Sequence, residues 1–320
     1  LQTSDIDATP SATENPIPDT EGEYYGFEPI GKYVSGNESE AFAGVYDGGE
    51  FKIDGIFINN SERDVVGLFG WIFEGAIKNT GLTNVKIIGN QVVGGLLGMN
   101  MYGDISNSYV MNADISSNQT AGGLVGMNQW RIENSYSAGN VTVNGNDVGG
   151  LVGYNGCIAT IVNSYSLVDA QGIDYVGGLV GSLCGEIANS YARGNVAGNS
   201  KIGGLVGAMG HFEARDENPA HYSSIANSYS TGQLTLQNEE LEPVDFGGLV
   251  GASSSELNTV SNSFWDIETS GMQISAGGEP KTSDELKTTT TFTNSDWDFE
   301  ETWMILSEGY TYPRLAWNTT

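Results

Sequence analysis

Gly-Gly-Leu-(Val/Leu)-Gly recurs down the middle of this chain, and Asn-Ser-(Tyr/Phe) follows about ten residues after most copies. The glycine before the leucine is Gly67 (in a degenerate VGLFG copy), Gly95, Gly123, Gly150, Gly178, Gly204 and Gly248, at spacings of 28, 28, 27, 28, 26 and 44. The partner phrase begins at Asn107, Asn134, Asn163, Asn189, Asn227 and Asn262. A fixed period of this length marks a repeat architecture, in which each unit buries its apolar face only against its neighbours. The phrase carries no reactive group, so it constrains the fold far more than the function.

A full unit reads AGGLVGMNQWRIENSYSAGNVTVNGND (121–147) and holds three β-like runs, GGLVG, RIENSYS and NVTVNG. Each run has two or three apolar residues, too few for a helix stripe and enough for one wall of a coil. Three strands per turn of 27–28 residues predict an all-β, single-domain parallel β-helix, or β-solenoid, with capping segments. The glycines are expected to turn corners at positive φ and to let rungs approach closely. Leu124, Val125 and their equivalents are expected to fill the interior. Stacked corner Asn amides can hydrogen-bond along the axis and satisfy turn backbone. Asn107, Asn134, Asn163, Asn189, Asn227 and Asn262 are therefore expected to form a structural ladder. Tyr109, Tyr136, Tyr165, Tyr191, Tyr229 and Phe264 follow two residues on. Exposed aromatic rows can bind sugars, but internal stacks are the expectation for these rings.

The chain divides into four parts. Residues 1–26 are polar and acidic, with three of the eight prolines, and read as an N-terminal arm with a first strand at Leu1–Ile6. Residues 27–64 read as lead-in or cap strands, with a hairpin-type or tight turn at Asp47-Gly48-Gly49. Residues 65–270 hold the repeats. The 44-residue spacing implies two insertions on one rung, about 209–223 and 237–245, and insertions in solenoids map to loops, often on a binding face. Residues 271–320 drop the phrase and, with Trp265, hold four of the six tryptophans, which suits a cap over the open β-edge of the core.

Forty acidic residues against 12 basic give a net charge of −28, which argues against nucleic-acid partners and anionic membrane surfaces. It favours solubility, cation binding or a saline exterior. No run of 18 apolar residues exists to span a membrane. The first residue is Leu1, with no basic or apolar leader, so the chain is expected to be a mature or trimmed product. Cys157 and Cys184 lie 27 residues apart, one repeat. Equivalent positions on adjacent rungs of a solenoid sit about 4.8 Å apart, within reach of a disulfide. Either a disulfide, which would imply an oxidising compartment, or two stacked free thiols fits.

These phrases resemble the GLUG repeat family of large extracellular bacterial and archaeal proteins. That family includes adhesin-like surface proteins and non-catalytic portions of some IgA-cleaving metallopeptidases. FEPIG…FAGVYDGGEFKIDGIFINN…VVGLFG resembles the usual lead-in, and KTSDELK…WDFEETWMIL…YPRLAW the closing segment. The resemblance implies a right-handed solenoid at a cell surface. No HExxH occurs, so the metallopeptidase chemistry found beside such repeats is not expected here.

Polysaccharide lyases and hydrolases on β-helices need clustered carboxylates and a basic residue at a groove. Lys and Arg are scarce in this chain, and carboxylates do not recur at one register. The candidate binding site is the first insertion, HFEARDENPAH, with His211, Glu213, Asp216, Glu217 and His221, joined by Glu239, Glu240, Glu242 and Asp245 of the second. Imidazole and carboxylate ligands suit zinc or another transition ion, and the carboxylates alone suit Ca²⁺. No cofactor is otherwise implied, and a plain acidic loop is the competing reading. Asn37, Asn59, Asn118, Asn140 and Asn318 are N-glycosylation sequons, which matter only in a host that glycosylates.

The expectation is a secreted or cell-surface protein without enzymatic activity, working in adhesion or surface architecture. Its partner would be a surface glycan, a protein ligand or another copy of itself. Two alternatives are a self-assembling filament protomer, with residues 1–26 as an exchanged arm, and a carbohydrate-active enzyme built around the 209–245 loops and Arg215.

Overall fold

The structure is a computed structural model that describes residues 1–18, 20–210, 222–238 and 244–318. The repeats wind into a parallel β-solenoid whose strands stack into four sheets, or walls. In the 121–147 unit, wall 1 takes Thr120–Gly122 and wall 2 Val125–Asn128, while wall 3 takes Arg131–Glu133 and wall 4 Tyr136–Val143. Among the described residues, walls 1 and 2 have seven strands each, wall 3 eight and wall 4 fourteen, because some rungs of wall 4 are interrupted. Three runs thus become four walls. GGLVG bends between walls 1 and 2, RIENSYS bends at Asn134, and NVTVNG continues wall 4 without a corner.

The positive-φ work falls on asparagine at the corner between walls 3 and 4 and on Asp147, Tyr175, Lys201 and Asp245 at the start of wall 1, rather than on the repeat glycines. Asn107, Asn134, Asn163, Asn189, Asn227 and Asn262 have φ of 47–50°. Asn tolerates this left-handed region better than most side chains because its short amide bonds locally. No glycine of a GGLVG phrase has positive φ. The second glycine is needed for space instead. A Cβ at Gly150 would sit 2.1 Å from the carbonyl oxygen of Gly178, and one at Gly178 would sit 2.2 Å from that of Gly204. The phrase is therefore a tight arch in which any side chain would strike the next rung.

Leu96, Leu124, Leu151, Leu179, Leu205 and Leu249 are fully buried, as are the valines or leucine that follow them. Each such side chain contributes roughly 1.5–3 kcal/mol by leaving water. Ile105, Ile132, Ile161, Ile187 and Ile225 close the core from wall 3.

Polar columns run alongside. The corner amides link Asn79 Nδ2 to Asp47 Oδ1 (3.0 Å), Asn107 to Asn79 (3.1 Å) and Asn134 to Asn107 (3.3 Å). The bonding resumes from Asn227 to Asn189 at 3.4 Å, while the buried Oδ1 of Asn163 has no hydrogen-bond partner among the described residues. Two further columns run Asp54–Asn84–Asn112 and Asp64–Asn90–Asn118. In all three the amide N–H groups donate toward the N-terminal end, so the first acceptor can be a carboxylate. Asp47 and Asp54 are accordingly held below the usual carboxylate range. Asn79 is the main cause for Asp47, and Thr83 followed by Asn84 for Asp54. A fourth column, Asn100–Asn128–Asn155, is fully buried, with 2.8 Å amide bonds. Beside the corner, Ser135 Oγ donates to Glu133 O (2.8 Å) and accepts from Ser108 N (3.2 Å), a pattern repeated at Ser164, Ser190, Ser228 and Ser263.

The two terminal segments depart from expectation. Val45–Asp47 and Lys52–Asp54 do not pair as a hairpin. They pair in parallel with Ala76–Lys78 and Gly81–Thr83, so Asp47-Gly48-Gly49 is an ordinary corner between walls 3 and 4. The N-terminal arm docks on its own chain. Ile6–Asp7 adds a parallel strand to Ile53–Asp54, Gln2 is buried and accepts from Tyr46 OH at 3.0 Å, and Thr9–Thr13 forms a 3₁₀ turn.

The C-terminal segment does two jobs rather than one. Met272–Lys281 closes the end of the coil: Gly248 N donates to Ile274 O (2.9 Å), Ala276 N donates to Val250 O (2.9 Å), and Glu279–Lys281 pairs with Phe264–Asp266. The remainder turns back along the outside of wall 4. There Leu286, Phe292, Trp297, Trp303 and Leu315 join Tyr165, Tyr191, Tyr229 and Phe264 in a second apolar cluster, separate from the solenoid core. The Tyr column is thus stacked on the outside and covered from the side, not enclosed in the coil.

Candidate functional site

Of the predicted site residues, His211, Glu213, Asp216, Glu217, His221, Glu239, Glu240 and Glu242 lie outside the described residues, as does Arg215. Asp245 is described: it is exposed, at φ 59°, where the second insertion rejoins wall 1. The two insertions leave different corners. The first departs after Met209–Gly210, between walls 2 and 3, and the second lies between walls 4 and 1. A groove of about 390 Å³ lies between these points, lined by Lys201, Met209, Asp245, Ser253, Ser254 and Ala276. An adjoining one of about 410 Å³ is lined by Asp245, Phe246, Met272 and Ile274. Among the described residues, no three His, Cys, Asp or Glu side chains converge on a point that would hold a metal.

The shape of this face follows from one column of wall 2. Reading along the axis, the outward residues are Trp71, Met99, Met127, Tyr154, Ser182, Ala208 and Ala252. Large side chains give way to small ones from Ser182 onward, and the floor drops to form the groove. Lys201 Nζ sits 4.6 Å from the centre of the Tyr175 ring, so its charge is held at the groove edge.

The corner between walls 2 and 3 carries a second row. Tyr33 packs on Trp71 at 5.2 Å, Trp71 on Phe73 at 6.3 Å, Phe73 on Tyr102 at 5.9 Å and Tyr102 on Trp130 at 5.8 Å, all edge to face. Tyr102 is 43% exposed and Trp130 39%. The next rungs of this corner hold Cys157 and Cys184, which form a disulfide with Cα atoms 4.4 Å apart. One rung further, Gly210 begins the first insertion. Aromatic row, disulfide and insertion therefore share one edge of the solenoid. The spacing of the aromatic row was readable in the sequence as Tyr102 and Trp130 near the ends of successive GMN phrases, but the repeat consensus drew attention to the Tyr109 column instead.

That Tyr109 column is largely committed elsewhere. Its rings stack face to face at 5.1, 4.7, 4.8 and 5.1 Å from Tyr109 to Tyr229. Arg193 lies 4.7 Å from the Tyr191 ring centre, donates from Nε to Tyr229 OH (2.8 Å) and also donates to Pro313 O. Tyr229 OH donates to Pro313 O as well, and Trp317 Nε1 donates to Asn163 O at 3.0 Å. Burial pushes the Tyr136 phenol up to about 12 and those of Tyr165, Tyr191 and Tyr229 well above their ordinary value.

The sequons differ in access. Asn37, Asn118 and Asn140 are exposed and Asn59 is half-buried. Asn318 donates from Nδ2, the atom a glycan would occupy, to Tyr165 OH at 2.6 Å.

No protein-family profile matches the chain, so the likeness to GLUG repeats stays one of phrase and spacing. Over 93 residues the chain is 39% identical to halomucin of Haloquadratum walsbyi, a stretch that is 29% of this chain and 1% of halomucin. The fold is similar to that of a crystal structure from Bacteroides ovatus described as a "putative immunoglobulin A1 protease". That likeness has a TM-score of 0.58 and 21% identity, and covers 88% of each chain. It establishes the β-helix fold. It also overturns the expectation that such a chain is not an enzyme, because a fold neighbour covering nearly the whole solenoid carries a protease's description. Scarce Lys and Arg disfavour one style of polysaccharide cleavage, not catalysis as a whole.

Proposed function

We propose that this chain is an extracellular β-solenoid segment that works in adhesion or surface architecture. The observation that carries the reading is the disulfide between adjacent rungs, on the same edge as the exposed aromatic row and the first insertion. Disulfides persist in oxidising, extracytoplasmic compartments. The likeness to a stretch of halomucin and the net charge of −28 support a surface role in a saline medium. Residues 272–281 pair over the last turn of the coil, which disfavours end-to-end stacking through that edge.

Labelled full-length chain incubated with intact cells tests this. Saturable retention that unlabelled chain displaces is expected, and uptake proportional to concentration without saturation would sink the reading.

A second reading is hydrolysis, raised by the description of the fold neighbour. The groove between the insertions, with Asp245 and Lys201 at its edge, is the place for it. Product release from a panel of proteins and polysaccharides, lost on Asp245→Asn, would establish it. Turnover that survives the substitution would move the chemistry elsewhere.

A further inference from the structure

We infer that the aromatic row on the corner between walls 2 and 3 is a docking platform for a neutral polysaccharide lying along the solenoid axis. The inference rests on the adhesion reading and names its ligand class.

Three rings present the surface: Tyr33 and Trp130, each 39% exposed, and Tyr102, 43% exposed. Trp71 and Phe73 brace them edge to face. Tyrosine and tryptophan combine an apolar ring with a polar tip, which suits a ligand that is apolar on its CH faces and polar at its rim. Successive rungs advance by about 4.8 Å, close to the rise of one residue in an extended β-linked glycan. Tyr102 and Trp130 stand on successive rungs with ring centres 5.8 Å apart, so a glycan aligned with the axis can meet both with neighbouring residues, with Tyr33 extending the apolar surface beyond Trp71.

Size and charge select among occupants. An aromatic side chain presents roughly 200 Å², so three rings about two-fifths exposed offer about 250 Å². A stable protein interface needs about 800 Å² from each partner, and this row falls far short of it. Glu74 and Asp104 are exposed beside Tyr102, and Arg131 is already paired with Glu133. The net charge of the chain is −28. A polyanion would be repelled, whereas sugar hydroxyls can donate to those carboxylates.

The test uses the full chain with insoluble cellulose, chitin and starch as neutral probes and soluble alginate as the anionic one. Retention on at least one neutral polysaccharide is expected, little changed by molar salt, with no binding to alginate. The double variant Tyr102→Ala/Trp130→Ala should lose at least tenfold in affinity. Tyr310→Ala, at an 82% exposed ring on the lateral C-terminal segment, should bind as the parent does. Thermal melts of all variants establish that they fold. No retention on any neutral probe overturns the inference, and so does a double variant that binds as tightly as the parent. If the chain still attaches saturably to cells, only the glycan assignment falls. Attachment abolished by protease treatment of those cells would point to a protein partner. If attachment also fails, the adhesion reading falls with it.

Discussion

Two aromatic rows climb this solenoid, and they have opposite fates. On wall 4, Tyr109 to Tyr229 lie nearly parallel, with interplanar angles of 3–16°, and the lateral segment covers them from Tyr165 onward. On the corner between walls 2 and 3, Phe73, Tyr102 and Trp130 meet at 68–88°, and Tyr102 and Trp130 stay about two-fifths exposed. Both rows are runs of aromatic rings whose centres lie 4.7–5.9 Å apart. What differs is whether another part of the chain returns to cover them. The covered row is a second core, and the uncovered one is left for something outside the chain.

The largest expected effect comes from breaking the covered row at its centre. Tyr229 is fully buried and joins Arg193 to Pro313 O. Tyr229→Ala removes a buried ring and leaves a buried guanidinium short of a partner, so a loss of about 3–5 kcal/mol is expected by denaturant titration. A loss below about 1 kcal/mol would mean that the lateral segment is not bound as described.

Alkali tests the same row without mutation. Tyr165, Tyr191 and Tyr229 are at most 3% exposed, and burial raises each phenol. A group with a raised folded-state pKa contributes stability that is fully present below its unfolded pKa and lost as pH rises toward the folded one. The unfolded phenol titrates near 10, so the loss begins there. By pH 11 each protected tyrosine accounts for about 1.4 kcal/mol, and three for about 4 kcal/mol. Melting temperatures at pH 9 and 11, with phenolate absorbance followed in parallel, check it. Ionisation of all tyrosines near pH 10 without unfolding would contradict the covered row.

The disulfide sharpens the contrast from the other side, because it clamps the rungs beside the open row. It closes a loop of 27 residues, worth about 3.5 kcal/mol by chain entropy. Cys157→Ser/Cys184→Ser is expected to lose most of that while keeping the circular dichroism of the β-fold. Equal stability of the double variant and the parent would mean that the bond adds nothing.

Gly150→Ala probes what both rows share, the rise of one rung. The added methyl would lie 2.1 Å from Gly178 O and 2.1 Å from Ser166 Oγ. The rungs must part, at a cost of about 1–3 kcal/mol. An unchanged melting temperature would show that the arch has slack the structure does not suggest.

How much of this could be read in the sequence depends on how far each signal reaches along the chain. Leu124 and Val125 were legible as interior because burial recurs at the repeat period. The corner role of Asn134 was legible because asparagine tolerates the left-handed turn and its amide can bond to its equivalent on the next rung. The fourth wall was not, since the bend falls inside RIENSYS and nothing apolar marks it. The Asn100–Asn128–Asn155 column was visible as a repeated Asn after GM or GY, yet a buried amide ladder looks like any polar residue until its neighbours are known. The lateral cover was illegible for a stronger reason. Trp297 and Trp303 look like an end cap by composition, and only the long-range contact with Tyr229 shows which surface they cover. Eight of the nine predicted ligand residues of the insertions fall outside the described residues, and only Asp245 could be placed.

The smallest expected effect is the one that most directly separates the two rows. Trp130 is 39% exposed and packs on Tyr102 alone among described aromatic rings, so Trp130→Ala should cost only about 1 kcal/mol. The same substitution class at Tyr229 is expected to cost several times that. A large loss at Trp130 would make the corner row structural, and the need for an outside ligand would vanish. A loss that small leaves an exposed indole that contributes little to folding, on a chain that buries Trp303 and Trp297 with care. Such a ring is explained by what it touches outside the fold.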